Sequence, residues 1–263
     1  MKLGIMQGRF TNKDGFLPQL FPWDNWECEF EIAEFEQIDR IEWMLNYDSF
    51  QKNPLLCGDE RKSISTCINS SGVSIDSVCI NYYMKESIIY DSGLELFEQI
   101  CSSMEDIGAS LAVIPLFEDN MPDSRDKEEK LLSSLKNAEN VASEHGIRIA
   151  IESDWEAVKI VEILKSFSNV GCCYDVGNAA GLGRDIVNEI HILGDRLINL
   201  HIKDKPVGGS SVMLGQGDAD LRGAFSALND IGYQGNLILE SYFGENVVED
   251  TRNNINYLRG LIS

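Results

Sequence analysis

Histidine is the scarcest informative residue in this chain. Only His145, His191 and His201 occur among 263 residues, which excludes a site built on a histidine cluster. Cations are also few. Lys and Arg number 22 against 43 Asp and Glu, a net charge of −21. A surface this acidic repels phosphate backbones and anionic lipid heads, so neither a nucleic acid nor a membrane is an expected partner. Most of the excess acid reads as solubilising surface charge. No run reaches the ~18 consecutive apolar residues of a membrane span. The opening MKLGIMQGRF has no long apolar segment of the kind a secretory leader carries. The seven cysteines (Cys28, Cys57, Cys67, Cys79, Cys101, Cys172 and Cys173) are odd in number, irregularly spaced and never in a CxxC pair. They make neither a disulfide framework nor a zinc knuckle. A reducing cytoplasm is expected, with most cysteines acting as small buried hydrophobes. Six prolines and no low-complexity run leave no linker, so one domain over 1–263 is expected.

What is present is a recurrence. Short apolar, β-branched runs alternate with longer amphipathic stretches. The apolar runs are Leu3–Met6, Arg40–Leu45, Ser74–Ile80, Leu111–Leu116, Ile147–Ile151, Val170–Tyr174, Leu197–Ile202 and Leu237–Leu239, eight in all. Between them, Trp26, Phe30 and Ala33 fall at helical spacing, with Glu27, Glu29, Glu31 and Glu34 covering the rest of that helix. Leu94, Phe97, Ile100 and Cys101 mark another, and 131–145, 158–167, 186–193, 225–231 and 255–262 continue the series. The stretch 59–71 carries a weaker helical pattern. The pairs Ser71-Gly72, Ile107-Gly108, His145-Gly146 and Ile231-Gly232 supply C-terminal turn chemistry before the next strand. Eight strand–helix units joined by short connections predict an α/β fold, a closed (β/α)8 TIM barrel. A doubly wound open sheet predicts a glycine-rich phosphate turn after the first strand, and Gln7-Gly8-Arg9-Phe10 is no such turn.

In a barrel of this kind the active site lies where the strands end. Strand five closes IRIAIE at Glu152, strand six VGCCYD at Asp175, strand seven LINLHIKD with His201 near its end, and strand eight NLILE at Glu240. A carboxylate at a strand tip is commonly a helix N-cap, and a histidine in an apolar strand is commonly a satisfied core residue. Three carboxylates and an imidazole on one rim, however, repel one another unless a cation neutralises them. Oxygen donors with one nitrogen suit a divalent ion such as Mn²⁺, Mg²⁺ or Co²⁺, with Zn²⁺ also admissible.

This order of residues resembles the xylose isomerase-like barrel superfamily of sugar and sugar-phosphate isomerases and epimerases. YDVGNAAGLGRD at 174–185, HIKDKP from His201, LGQGDADL at 214–221 and GYQGNLILE at 232–240 are similar to the branch of L-ribulose- and L-xylulose-5-phosphate 3-epimerases. IMQGRF at 5–10 and FPWDNWECEFEIAEF at 21–35 also look like proteins of this superfamily. The resemblance is sharpest over the C-terminal half, and 45–145 is hardly distinctive. It implies a small-molecule sugar or sugar phosphate as partner. It also implies Glu152 and Glu240 as both metal ligands and catalytic acid and base, with Asp175 and His201 as ligands only. Many relatives carry a histidine three residues after the aspartate; here the position is Asn178, which can hydrogen-bond a hydroxyl but cannot transfer a proton. One metal ion, not two, is therefore expected.

The expected chemistry is proton removal beside a carbonyl, with the enediolate stabilised by the ion as a Lewis acid. Return of the proton to the other face is epimerisation; return to the neighbouring carbon is aldose–ketose isomerisation. The same four ligands serve both. Lys203 and Lys205, followed by Gly208-Gly209-Ser210-Ser211, and Arg9 after strand one, are candidate contacts for an anionic substrate group. A solvated mobile loop is the plainer reading of the Gly/Ser stretch. Gly215 and Gly217 would let the next loop approach a ligand, while Asp218 and Asp220 can serve as helix caps. Trp155, Tyr82 and Phe243 are candidates for an apolar wall or for ordinary packing. Trp23 and Trp26 could form the interface of a homo-oligomer. A dehydratase of the inosose type, a hydroxypyruvate-type isomerase and a non-catalytic sugar-binding barrel are the alternatives. Endonuclease IV-type chemistry, with its zinc cluster and basic face, is opposed by the three histidines and the charge.

Overall fold

Each of the eight apolar runs folds as a strand. The structure, a computed structural model, describes residues 1–11, 20–85, 88, 91–117 and 121–262. The strands are β1 (Lys2–Met6), β2 (Arg40–Met44), β3 (Ser74–Cys79), β4 (Leu111–Leu116), β5 (Arg148–Ser153), β6 (Val170–Asp175), β7 (Leu197–Ile202) and β8 (Asn236–Leu239). Each pairs in parallel with the next, and β8 pairs with β1 from Lys2↔Asn236 to Ile5↔Leu239, which closes the barrel. This ring excludes the open sheet. Parallel neighbours cannot be joined by a tight turn. The connections therefore carry α1 (Cys28–Phe35), α2 (Gly58–Ser71), α3 (Asp91–Asp106), α4 (Arg125–Glu144), α5 (Ala157–Leu164), α6 (Val176–Gly181), α7 (Ile186–Leu193) and α8 (Leu221–Asp230), with α9 (Val247–Ile262) after β8. The short α6 escaped the periodicity reading, and the weak 59–71 pattern is the full helix α2.

Strands covered on both faces lose their polar alternation. All six residues of β4 are buried. The helices turn one stripe inward. On α4, Leu131, Leu135, Ala138 and Ala142 are buried, and Ser124 Oγ caps the start by accepting from Lys127 N. The helix α2 stops at Gly72, whose φ of 73° lies in the left-handed region. Among the described residues, no helix is long and apolar enough to cross a membrane.

Two surface expectations are corrected. Trp23 is exposed, but Trp26 is buried, edge-on to Trp43 at 5.4 Å and to Phe30 at 6.4 Å. Such aromatic pairs contribute about 0.5–1.5 kcal/mol beyond burial, so Trp26 belongs to the packing of α1. Glu29 likewise is not part of the solvated acidic face. It turns inward at 1% exposure and accepts from Gly8 N, Phe10 N and Thr11 Oγ1 at 2.9–3.3 Å, clamping the loop after β1. Burial pushes the Glu29 carboxyl up to about 7 from 4.5, against the pull of these donors. The folded state then holds more protons than the unfolded state between those values, so this group's contribution falls as pH rises through that window. The displacement amounts to about 3 kcal/mol. Urea unfolding of the wild type and Glu29→Gln should therefore diverge. The wild type loses about 3 kcal/mol more than the variant from about pH 5 to about pH 8; equal slopes would contradict the assignment.

Candidate metal and active site

Barrel closure brings the four strand-end residues together. Glu152 lies opposite Cys173, Asp175 lies opposite His201, and Glu240 N bonds Ile202 O just past β8. All four are buried, and one donor atom from each falls within 4.8 Å of the others. His201 Nδ1 stands 3.0 Å from Glu240 Oε2 and 3.4 Å from Glu152 Oε1, yet makes no hydrogen bond. A buried nitrogen aimed at carboxylate oxygens without a directed bond is what a ligand set for a divalent cation leaves when considered alone. The residues present therefore fit such an ion. Asp175 also fulfils the plainer reading, because its Oδ1 caps α6 by accepting from Asn178 N at 2.8 Å.

The protein supplies cations of its own to this acidic pocket. Lys203 Nζ bridges Asp175 Oδ2 and Glu240 Oε1, at 2.8 and 2.9 Å. Arg9, 1% exposed, stands 3.6 Å from Glu240 Oε1 and 5.8 Å over the ring of Phe243. Burial would lower the Lys203 ammonium, but Asp175, Glu240 and Glu152 hold it above its ordinary range. The two glutamates are split. Burial pushes Glu152 up, helped by Glu240 and Asp175 and opposed by His201. Burial acts the same way on Glu240, but Lys203, His201 and Arg9 outweigh it and hold that carboxyl well below the usual range.

Above the cluster opens a cavity of about 780 Å³. Glu152, His201, Lys203 and Glu240 form its floor, and Asn178, Lys205 and Gly209 line one side. Lys205 Nζ donates to Asn178 Oδ1 at 2.5 Å. The opposite side carries Asn46, Tyr47, Asn81 and Lys85. The three aromatic candidates are placed apart from this lining. Trp155 packs half-buried on the core, Tyr82 stacks between Tyr47 and Phe50, and Phe243 is fully buried beneath Arg9. Asp220 caps α8, and Asp218 Oδ2 accepts from Val207 N.

Two buried carboxylates next to the site residues went unread in the sequence. Asp204 accepts from the backbone N–H groups of Gly215, Gly217 and Ala219 at 2.8–3.1 Å, holding the LGQGDADL loop. A Cβ on Gly217 would run into Asp204 Oδ1 and the Lys205 backbone, so glycine is required for that approach. Glu42 lies under the cluster in β2, 2.7 Å from His201 Nε2. Its signal was available: a lone acid inside the apolar run RIEWML.

Residues 44–261 match the xylose isomerase-like TIM barrel family, and the chain belongs to it. The L-ribulose-5-phosphate 3-epimerase UlaE of Salmonella typhi is 20% identical, with 70% of each chain covered. The crystal structure of D-allulose 3-epimerase from Methylomonas sp. in complex with D-allulose superposes with a TM-score of 0.79 at 14% identity, covering 99% of this chain and 96% of that one. The IOLI protein, solved with a binding zinc atom, superposes with a TM-score of 0.77 at 17% identity, covering 100% and 98%.

Proposed function

We propose that this protein is an isomerase acting on a small sugar or sugar phosphate: a divalent-metal-dependent ketose 3-epimerase using Glu152 and Glu240 as its proton-transfer pair. The observation that carries this reading is the convergence of two buried glutamates on one cavity floor beside Asp175 and His201. Metal dependence rests on the donor set. Glu152, Asp175, His201 and Glu240 would hold one divalent ion, Mn²⁺, Mg²⁺ or Co²⁺ with Zn²⁺ admissible. When bound, that ion supplies Lewis acidity that offsets negative charge developing on neighbouring substrate oxygens.

The chain's own groups do the rest. Glu240, kept ionised by Lys203 and Arg9, accepts a proton from the carbon beside the carbonyl. Glu152 returns one to the other face. Inversion requires the two carboxyls to reach the carbon from different sides, one from the end of β5 and one from beyond β8. In the reverse direction the roles exchange. Lys203 presents an ammonium to developing oxyanion charge. Asn178, its carbonyl taken by Lys205, offers its amide NH₂ to a substrate hydroxyl. Lys205 and the Gly209 backbone suit an anionic or hydroxyl-rich distal end. Arg9 acts through Glu240 rather than on substrate. The related epimerases of phosphorylated and free ketoses support both substrate forms.

The test is proton NMR of ketoses and ketose 5-phosphates incubated in D₂O with Mn²⁺, the ion being removed by chelator before spectra are taken. Deuterium should enter C3 of one ketose, with its epimer appearing. Entry at C1 or C2 would reassign the protein to aldose–ketose isomerisation. Loss of water without exchange into recovered substrate would favour a dehydratase, and a silent panel would favour a sugar-binding barrel.

A further inference from the structure

Beneath the four-residue cluster lies a closed polar layer that no step of the proposed reaction uses. Glu42, in the middle of β2, is fully buried, as is His201. Glu42 Oε1 faces His201 Nε2 at 2.7 Å. Glu42 Oε2 accepts from Ser77 Oγ of β3 at 2.6 Å and Asn199 Nδ2 of β7 at 2.9 Å. Among the described residues, the one ion-pair partner of Glu42 is this histidine. A carboxylate so deep needs donors at both oxygens, and β3 and β7 deliver them.

The consequence falls on the imidazole. Glu42 Oε1 holds Nε2 at 2.7 Å, so Nδ1 is the nitrogen left to face Glu152 and Glu240. A ring that gives its Nδ1 lone pair to a cation carries its one proton on Nε2, against Glu42. We infer that Glu42 is a positioning residue that keeps a proton on His201 Nε2 and orients Nδ1 toward the carboxylate cluster as its single nitrogen donor. The bare Nδ1 and the metal affinity rest on the reading given under Proposed function; the orientation of the ring by Glu42 does not.

The scarcity of histidine makes the test clean. Full-length protein labelled with [¹⁵N]histidine has three rings to assign, and His145 and His191 are tied by Nδ1 to Glu105 and to Val187 O at the surface. In the wild type, an exchange-protected, downfield Nε2–H signal is expected from His201, and saturating Mg²⁺ should leave Nδ1 unprotonated. Glu42→Leu should lose that signal, with Mn²⁺ affinity, read by electron paramagnetic resonance of the free ion, falling about 10–100-fold. Glu42→Gln should restore the signal and most of the affinity. Its amide oxygen can still accept, and Asn199 Oδ1, which has no hydrogen-bond partner, can receive its NH₂ once that amide turns. A proton found on Nδ1 in Mg²⁺-loaded wild type would overturn the inference without any variant. So would a folded Glu42→Leu protein with unchanged Mn²⁺ affinity. If the wild type bound no Mn²⁺, the metal reading would fall, and the protected Nε2–H signal and its loss in Glu42→Leu would still decide the role of Glu42.

Discussion

Replacing either Glu152 or Glu240 by Gln should lower kcat by about 10²–10⁴-fold on whichever ketose responds, the ordinary worth of a positioned acid or base. Both variants keep the side-chain volume, so the fold should persist; far-ultraviolet circular dichroism checks this. The decisive measurement is the appearance of the epimer. Two carboxyls that work as a pair fail together, because an epimerisation that loses its donor is as blocked as one that loses its base. Epimerisation retained in both variants would remove the glutamates from the chemistry. The opposite displacements of Glu152 and Glu240 arise from surroundings rather than residue type. Lys203 Nζ sits 2.9 Å from Glu240 Oε1, while Glu152 has burial and two neighbouring carboxyls to raise it.

Lys203→Met should have the largest effect on stability. Its ammonium answers two buried carboxylates at once, Asp175 and Glu240. Removing one partner of a buried pair leaves an uncompensated charge and typically costs about 3–5 kcal/mol. At about 2–4 °C per kcal/mol for a domain of this size, the melting temperature without added metal should drop on the order of 10 °C. Added Mn²⁺ or Mg²⁺ should recover much of that loss, because a divalent ion held by the same carboxylates supplies the missing positive charge. Thermal unfolding with chelator and with ion makes the comparison. An equal drop under both conditions would mean that Lys203 only fills space. No drop would mean that the carboxylates take up protons instead.

These expectations show where local information stops. The strand runs were readable to within a residue or two, because burial on both faces of a parallel barrel erases polar alternation. The strand tips Glu152, Asp175 and Glu240 were readable because the C-terminal end of a strand is a position along the chain. Lys203 and Arg9 were read as rim contacts for an anion; the structure sets both against Glu240, with Lys203 also lining the cavity. No local pattern states that a lysine two residues after a strand histidine folds back between two carboxylates from other strands. The same limit explains Glu29, which looked like one more acid on a solvated helix and is an internal clamp for the loop after β1. Trp26 failed for a related reason. Its helical spacing was legible, but its partner Trp43 lies on a different element.

The sequence by itself determined a (β/α)8 barrel and the four residues that meet on its rim. The eight runs count out the strands, and their order along the chain is their order around the ring. It also determined that the excess of 43 acids over 22 bases could not all be inert, since three of them close consecutive apolar strands or nearly so. Only the tertiary structure decided which acids are answered and by what. Glu42 meets His201 across 159 positions of chain, and Asp204 reaches forward to the amides of a glycine-rich loop. Those pairings exist because closing the ring forces strands β2, β3 and β7 to share one interior, where burial obliges every charge to find a partner. Scarcity of cations makes the choice visible: among the described residues, the two buried ones, Lys203 and Arg9, stand at the carboxylates of the cluster.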